Sequence, residues 1–145
     1  MWQLLVVFSL VGVALAEYDA LIQDTMQKVQ ECKQKTGAQE DIDSLVNNLQ
    51  IPTSPEGKCM VACVLEEMGL MKGDHVDANA VQSFVKTSVP DLPPTLIMMV
   101  TFTVTKCAKS GSGHDKCENA TAFLNCMCQA AEANMSMFNA MTGHQ

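Results

Sequence analysis

Seven cysteines are the residues of this chain whose type and spacing most clearly indicate a chemistry. Cysteine at this density in a short chain is typical of the disulfide framework of a small secreted domain. Because the count is odd, at least one thiol stays free or pairs between molecules. The intervals between successive cysteines are 26, 3, 43, 9, 8 and 1 residues, for Cys32, Cys59, Cys63, Cys107, Cys117, Cys126 and Cys128.

Cys59 and Cys63 open a predicted helix, Lys58–Gly73, around which the rest of the chain is organised. On a helix, residues four apart lie on one face with parallel side chains, whereas a disulfide needs converging Cβ atoms. If both are oxidised, each therefore bonds a different segment. The opposite side of this helix carries an apolar stripe, which predicts neighbours on both sides; its members are Val61, Val64, Leu65, Met68 and Met71.

Other site chemistries have little support in the sequence. The three histidines are His75, His114 and His144, and neither H-x-x-x-H nor C-x-x-C occurs, so we expect no metal and no cofactor. His114 to Cys117 resembles part of the phospholipase A2 signature, but the paired upstream cysteines and the glycine-rich calcium loop of that signature are absent. With no G-x-S-x-G motif either, we predict no catalytic residues and no enzyme activity.

The first 16 residues are apolar except for Gln3 and Ser9, and they end in Ala14-Leu15-Ala16, an A-x-A cleavage pattern. This segment is typical of a secretory signal peptide and is short for a membrane span. No later run is long and apolar enough to insert stably in a membrane. We therefore predict a signal peptide at 1–16 and one secreted, extracellular domain at 17–145.

The charge pattern disfavours two classes of partner. The net charge is −7, all nine basic residues are lysines, and arginine is absent. Nucleic-acid readers depend on arginine and on basic patches, so we expect no nucleic-acid partner. An anionic membrane surface would repel a protein of this charge.

The periodicity of apolar residues predicts an all-α fold of about six helices. The segment Thr95–Lys109 is apolar nearly all round, so we expect it to be buried on most sides. Its alternating threonines favour a strand, but no other segment offers a strand partner, and a helix is preferred. The predicted helices are Tyr18–Lys35, Gln39–Leu49, Lys58–Gly73, Asp77–Thr87, Thr95–Lys109 and Asp115–Glu132.

The cysteine intervals resemble those of the insect odorant-binding proteins, in the group of pheromone-binding and general odorant-binding proteins. The three-residue gap after Cys59 and the eight-residue gap after Cys117 are the marks of that family. The phrase G-K-C-M-V-A-C-V-L-E-E-M-G, starting at Gly57, is similar to the family's central helix. The resemblance spans the chain from Cys32 to Cys126.

This resemblance implies the pairs Cys32–Cys63, Cys59–Cys117 and Cys107–Cys126, which the spacing alone does not choose among fifteen possible connectivities. Cys128 departs from the family pattern, and we expect it to be a buried, inert thiol. The resemblance also implies a carrier that holds odorants or pheromones in an internal cavity and delivers them through aqueous lymph to an olfactory receptor. The oligomeric state would be a monomer or a weak homodimer.

A helical domain held by crosslinks can keep an apolar cavity, because the crosslinks offset the cost of the void. Thr103 or Ser83 is a candidate to give a ligand hydroxyl or carbonyl one hydrogen bond. Each candidate also fits ordinary core packing. The candidate ligand-binding residues are Met68, Leu70, Met71, Val81, Phe84, Leu96, Met99, Val100, Phe102, Thr103, Phe123, Met127 and Phe138.

The uncharged tail, residues 134–145, is predicted to cover the cavity, with His75 or His114 gaining charge as the pH falls. Of two N-x-S/T sequons, Asn119 is expected to stay unmodified inside a packed helix and Asn134 to be more accessible. Two alternatives to the carrier remain. One is a saposin-like membrane-active protein, for which the chain is long; the other is the phospholipase A2-like enzyme.

Overall fold

The computed structural model describes residues 2–47 and 50–142, with side chains described for 2–6, 22–45 and 50–134. The described chain confirms the all-α prediction, with six helices and one small hairpin. These elements are α1 (Trp2–Thr36), α2 (Ile42–Asn47), α3 (Pro55–Glu67), β1 (Met71–Lys72), β2 (His75–Val76), α4 (Ala78–Ser88), α5 (Pro94–Ser110) and α6 (Lys116–Thr142).

Helix α3 lies at the centre, packed against α1 on one side and α6 on the other. Its two cysteines reach different neighbours, as their parallel directions require. Cys63 bonds Cys32 of α1 with a Cα–Cα distance of 5.6 Å, and Cys59 bonds Cys117 of α6 with a Cα–Cα distance of 4.5 Å. A third disulfide, Cys107–Cys126, joins α5 to α6. These are the same pairs that the family resemblance implies.

The limits of α3 follow from its sequence. Ser54 is the N-cap, and its hydroxyl accepts the Gly57 N–H at 2.9 Å, with Pro55 in the first turn. The helix ends at Glu67, so the prediction that it continues to Gly73 was wrong. Gly69 has a φ of 73°, a left-handed conformation that glycine adopts without strain and that turns the chain away from the helix axis.

The residues after Gly69 form a β-hairpin that was not predicted from the sequence. Met71 pairs with Val76 and Lys72 with His75 in an antiparallel ladder. Gly73, with a φ of 66°, supplies the left-handed turn between the two strands. The expectation that no segment offers a strand partner was therefore wrong for this region. The two strands pair with each other, and neither pairs with α5.

The segment predicted as a helix in preference to a strand is a helix, α5. Its threonines are compatible with a helix because their hydroxyls can bond within it, and Thr105 Oγ1 donates to the Thr101 carbonyl at 2.8 Å. The expectation that α5 is buried on most sides was wrong. Only Val104 and Cys107 of this helix are buried, because α5 packs against α4 and α6 on one side. Met98 and Phe102 are 73% and 72% exposed.

The predicted signal segment and the predicted tail, where they are described, belong to the first and last helices. Helix α1 begins at Trp2, so the predicted signal segment and the first predicted helix form one continuous element. Helix α6 runs to Thr142, so the backbone of the predicted tail continues this helix through residue 142. Within the described residues, no helix combines the length and apolar character that crossing a bilayer requires.

Candidate ligand-binding site

Most of the predicted lining residues meet in one apolar cluster between the hairpin, α4, α5 and α6. Leu70, Val81 and Phe123 are buried there beside Val76 and Val104. Side chains in such contact fill the space between the elements, so this cluster is the packed core of the domain. Five further predicted residues pack around it, half-buried: Met68, Met71, Phe84, Val100 and Met127.

The remaining predicted lining residues do not join this cluster. Leu96, Met99 and Phe102 lie on the outer face of α5, with exposed fractions of 43%, 40% and 72%. Thr103 is half-buried and borders, with Phe102, an open groove between α5 and α6. Phe138 lies outside the described side chains. The structure therefore brings together eight of the thirteen predicted residues and turns three of them toward solvent.

An apolar cavity of about 190 Å³ lies elsewhere, between α1, α2, α3 and α6. Among the residues whose side chains are described, its wall is apolar apart from Gln50 and includes no charged side chain. Such a site suits a small apolar ligand with at most one or two polar atoms. The lining residues are Val29, Ile42, Leu45, Gln50, Pro52, Met60, Val61, Val64, Leu65 and Leu124.

The helices hold the inner wall of this cavity firmly. Met60 packs in a buried cluster with Cys32 and Ala38, beside the disulfide that ties α1 to α3. Val61 belongs to a second cluster shared with α6. Leu65 packs against the main core as well as bordering the cavity, so the cavity adjoins that core.

The outer wall of the cavity is formed by a connecting segment, not by the long helices. This segment joins α1 to α3, and its residues Ile42, Leu45, Gln50 and Pro52 face the cavity. No disulfide joins this connection to the rest of the described chain. The candidate site is thus bounded by disulfide-linked helices on one side and by a short helix and a loop on the other, and it is partly open to solvent.

Two other openings are less suitable for an apolar ligand. The pocket between α4 and α5, around Val85 and Val100, has a volume of about 50 Å³. An apolar cavity of about 150 Å³ holds benzene, and this pocket has about a third of that volume. The groove between α5 and α6 is wide, but Lys106, Asn125 and Gln129 contribute polar walls.

The chain is similar to known proteins in sequence and in fold. Residues 16–130 match the model of the PBP/GOBP family, and this range is more than half of the chain. The chain belongs to the PBP/GOBP family. The match includes all six cysteines of the three disulfides and every residue that lines the cavity.

Two general odorant-binding proteins of Drosophila melanogaster are similar in sequence. General odorant-binding protein 69a is 28% identical over 96 residues, covering 66% of this chain and 60% of that protein. General odorant-binding protein 19d is 30% identical over 105 residues, covering 67% of this chain and 65% of that protein. The match thus spans less than two thirds of the length of each relative.

Two solved structures share the fold. The odorant-binding protein dmelOBP28a from Drosophila melanogaster superimposes with a TM-score of 0.65 at 25% identity, covering 81% of this chain and 97% of that one. Odorant binding protein 5 of Apis mellifera superimposes with a TM-score of 0.61 at 16% identity, covering 74% and 86%. The second likeness, at this identity, concerns the fold alone.

The segment that resembles the phospholipase A2 signature, His114 to Cys117, has structural roles in this protein. Asp115 Oδ1 accepts the Glu118 N–H at 3.0 Å and so caps α6. Asn119 is fully buried, donating to the carbonyls of Asp74 at 2.6 Å and His114 at 2.7 Å, while its own oxygen accepts the His114 N–H at 3.1 Å. Asn119 therefore joins the hairpin, the loop before α6 and α6 itself.

Cys128 is the free thiol of the described chain and is half-buried on α6. Burial, with a smaller contribution from the charge of Glu132, raises its pKa. A raised pKa favours the protonated, weakly nucleophilic form of the sulfur. The thiol was predicted to be buried and is only half-buried, and its inertness stays a prediction. Among the described residues, no group of histidine, cysteine, aspartate or glutamate side chains has the geometry of a metal site.

Proposed function

We propose that the protein is a carrier that holds a small hydrophobic molecule, of the odorant or pheromone class, in the cavity beside α3. The observation that carries this proposal is the aliphatic 190 Å³ cavity in a disulfide-bonded member of a family whose relatives are named odorant-binding proteins. A ligand that fills this cavity removes apolar surface from water, and this burial supplies the binding free energy.

The size of the cavity selects the class of ligand. A cavity of about 150 Å³ holds benzene, so a volume of 190 Å³ accommodates one substituted ring or a chain of similar bulk. Gln50 is exposed and borders the cavity, which places its amide at the opening. A ligand with one oxygen at its end, such as an alcohol, aldehyde or ketone, could bond this amide with its apolar part inside.

The location and partners of the protein are part of the same proposal. Cleavage after Ala16 would release residues 17–145 into extracellular fluid, and the family match begins at residue 16. The carrier would act as a monomer or weak homodimer and deliver its ligand to an olfactory receptor. The small volatile ligand is the primary partner, and nucleic acid and stable membrane insertion have no part in this role.

The two rival functions receive no support from the fold. A saposin-like protein and a phospholipase A2-like enzyme were alternatives from the sequence, and both the family match and the superposed structures favour the carrier. We propose that the protein has no enzyme activity. The capping of α6 by Asp115 and the main-chain bonds between His114 and Asn119 account for the residues that suggested the enzyme.

Calorimetric titration of the mature, oxidised protein with ethylbenzene and acetophenone tests the proposal. These ligands share a ring and two further carbons, and only acetophenone carries an oxygen. We expect saturable binding of both with one site per chain, and tighter binding of acetophenone. The absence of saturable binding for either, in a protein whose three disulfides are verified by mass spectrometry, would contradict the carrier function.

A further inference from the structure

Glu40 lies at the start of the connection that forms the outer wall of the cavity. The Ser54 hydroxyl donates a hydrogen bond to Glu40 Oε1, and the same hydroxyl accepts the Gly57 N–H at 2.9 Å. A serine hydroxyl can donate and accept at once, so these two bonds are compatible. They link a carboxylate, a helix cap and the first turn of α3 in one chain of polar contacts.

Gly57 provides the space for this contact. It is buried, and a Cβ atom built on it would collide with Glu40 Oε1 and come within 2.7 Å of the Pro52 Cβ. Any other residue at position 57 would push Glu40 and Pro52 away from α3. Because Pro52 itself borders the cavity, the fit at Gly57 and the position of the cavity wall are coupled.

The charges around Glu40 favour its ionised form. The hydrogen bond from Ser54 lowers the pKa of Glu40 most; backbone hydrogen bonds and Lys33 of α1 also lower it, and burial opposes them. The amino end of α3 adds a positive potential, while Glu56 in the first turn of α3 is the like charge beside it. The other carboxylate oxygen of Glu40, Oε2, is buried with no hydrogen-bond partner in the described structure.

We propose that Glu40 is a positioning residue of the ligand site: through Ser54 it holds the connection between α1 and α3 closed over the cavity. The inference rests on the proposed function, because it assumes that this cavity takes the ligand. The segment between the two residues carries Ile42, Leu45 and Pro52 into the wall. Loosening the contact exposes the cavity and weakens ligand binding without changing the rigid inner wall.

The contact has a defined dependence on pH. Because the folded state lowers the pKa of Glu40, the contact contributes its full stability above the ordinary glutamate pKa of about 4.3. That stability is lost as the pH falls through the lowered value. The contact therefore holds the wall in place at neutral pH and is lost as acid protonates the Glu40 carboxylate.

Four variants of the mature protein test the role of Glu40. Glu40→Gln mimics the protonated side chain, Ser54→Ala removes the hydroxyl, Ser54→Thr retains it, and Glu31→Gln removes an exposed carboxylate elsewhere. Ethylbenzene affinity is measured calorimetrically from pH 7 to pH 3. Amide hydrogen exchange of residues 41–53 is measured by mass spectrometry in the ligand-free proteins over the same range.

We expect wild type, Ser54→Thr and Glu31→Gln to lose at least fivefold in affinity below pH 4, with faster exchange in 41–53. Glu40→Gln and Ser54→Ala show the weaker affinity and the faster exchange already at pH 7, and Glu40→Gln shows little further change in acid. If Glu40 only stabilised the fold, the Glu40→Gln substitution would not selectively remove the pH dependence of ethylbenzene affinity.

Two results overturn the inference, and they differ from a failure of the proposed function. If wild type binds ethylbenzene and Glu40→Gln keeps both its affinity and its acid profile, Glu40 does not hold the wall. If wild type binds no ethylbenzene, the carrier function fails. Hydrogen exchange then still tests whether Glu40 holds the wall, because unchanged exchange of 41–53 in Glu40→Gln at pH 7 would show that it does not.

Discussion

Filling the cavity from within should make the empty protein more stable and the carrier function weaker. Val64 is half-buried on α3 and borders the cavity. The substitution Val64→Phe adds four carbon atoms at this position. Benzene fills a cavity of about 150 Å³ with six carbons, so four carbons occupy about 100 Å³ and leave about 90 Å³ of the original space. That remainder is too small for a substituted ring.

The same four carbons bury apolar surface. At about 0.8 kcal/mol per buried carbon the gain is at most about 3 kcal/mol, and a repacking cost of about 1–3 kcal/mol offsets much of it. We expect a net stabilisation of about 1 kcal/mol in urea unfolding of the ligand-free protein. Affinity for ethylbenzene should fall at least tenfold, which corresponds to about 1.4 kcal/mol.

The matched control is Val85→Phe, which makes the same substitution beside the small pocket between α4 and α5. This variant should bind ethylbenzene as wild type does, since residue 85 does not border the larger cavity. The reasoning is refuted if Val64→Phe binds within twofold of wild type while folding normally. It is equally refuted if Val85→Phe, and not Val64→Phe, loses the ligand.

Three further predictions concern the framework and the opening. Replacing both Cys107 and Cys126 with alanine should reduce the unfolding free energy by about 3 kcal/mol, from the entropy of a 19-residue loop; an unchanged urea midpoint would contradict this. Asn119→Ala removes three part-buried hydrogen bonds, two to the carbonyls of Asp74 and His114 and one from the His114 N–H, and should cost about 1–3 kcal/mol, whereas a loss below about 0.5 kcal/mol would show that water replaces the amide. Gln50→Leu should weaken acetophenone binding at least threefold and leave ethylbenzene unaffected, as calorimetry with both ligands can establish.

The helices were predictable because their apolar residues recur at helical spacing and their ends carry clear signals. Ser54 and Pro55 mark the start of α3, and Asp77 caps α4 through the N–H groups of Asn79 and Ala80. The hairpin was not predictable in the same way. Two-residue strands are too short to show an alternating pattern, and the left-handed turns at its glycines are visible only in the backbone.

The candidate site was harder to predict than the fold. Helix α5 is apolar on nearly all sides, so its sequence does not indicate which side faces the core, and Met99 and Phe102 were assigned inward although they face solvent. The signal for the cavity was present in the stripe of α3, with Val61 and Val64, and in the apolar face of α2. Of that stripe only Met68 and Met71 were predicted to line a cavity, because spacing along one helix does not reveal how closely the facing helix approaches.

The most direct test of the account uses the methyl groups of methionine. Met60 borders the cavity, whereas Met98 lies 73% exposed on the outer face of α5. In ¹³C-methyl NMR spectra of the mature protein titrated with ethylbenzene, the Met60 signal should shift and saturate at one equivalent of bound ligand, and the Met98 signal should stay in place. A saturating shift of Met98 with an unmoved Met60 would place the ligand on α5 and contradict the account.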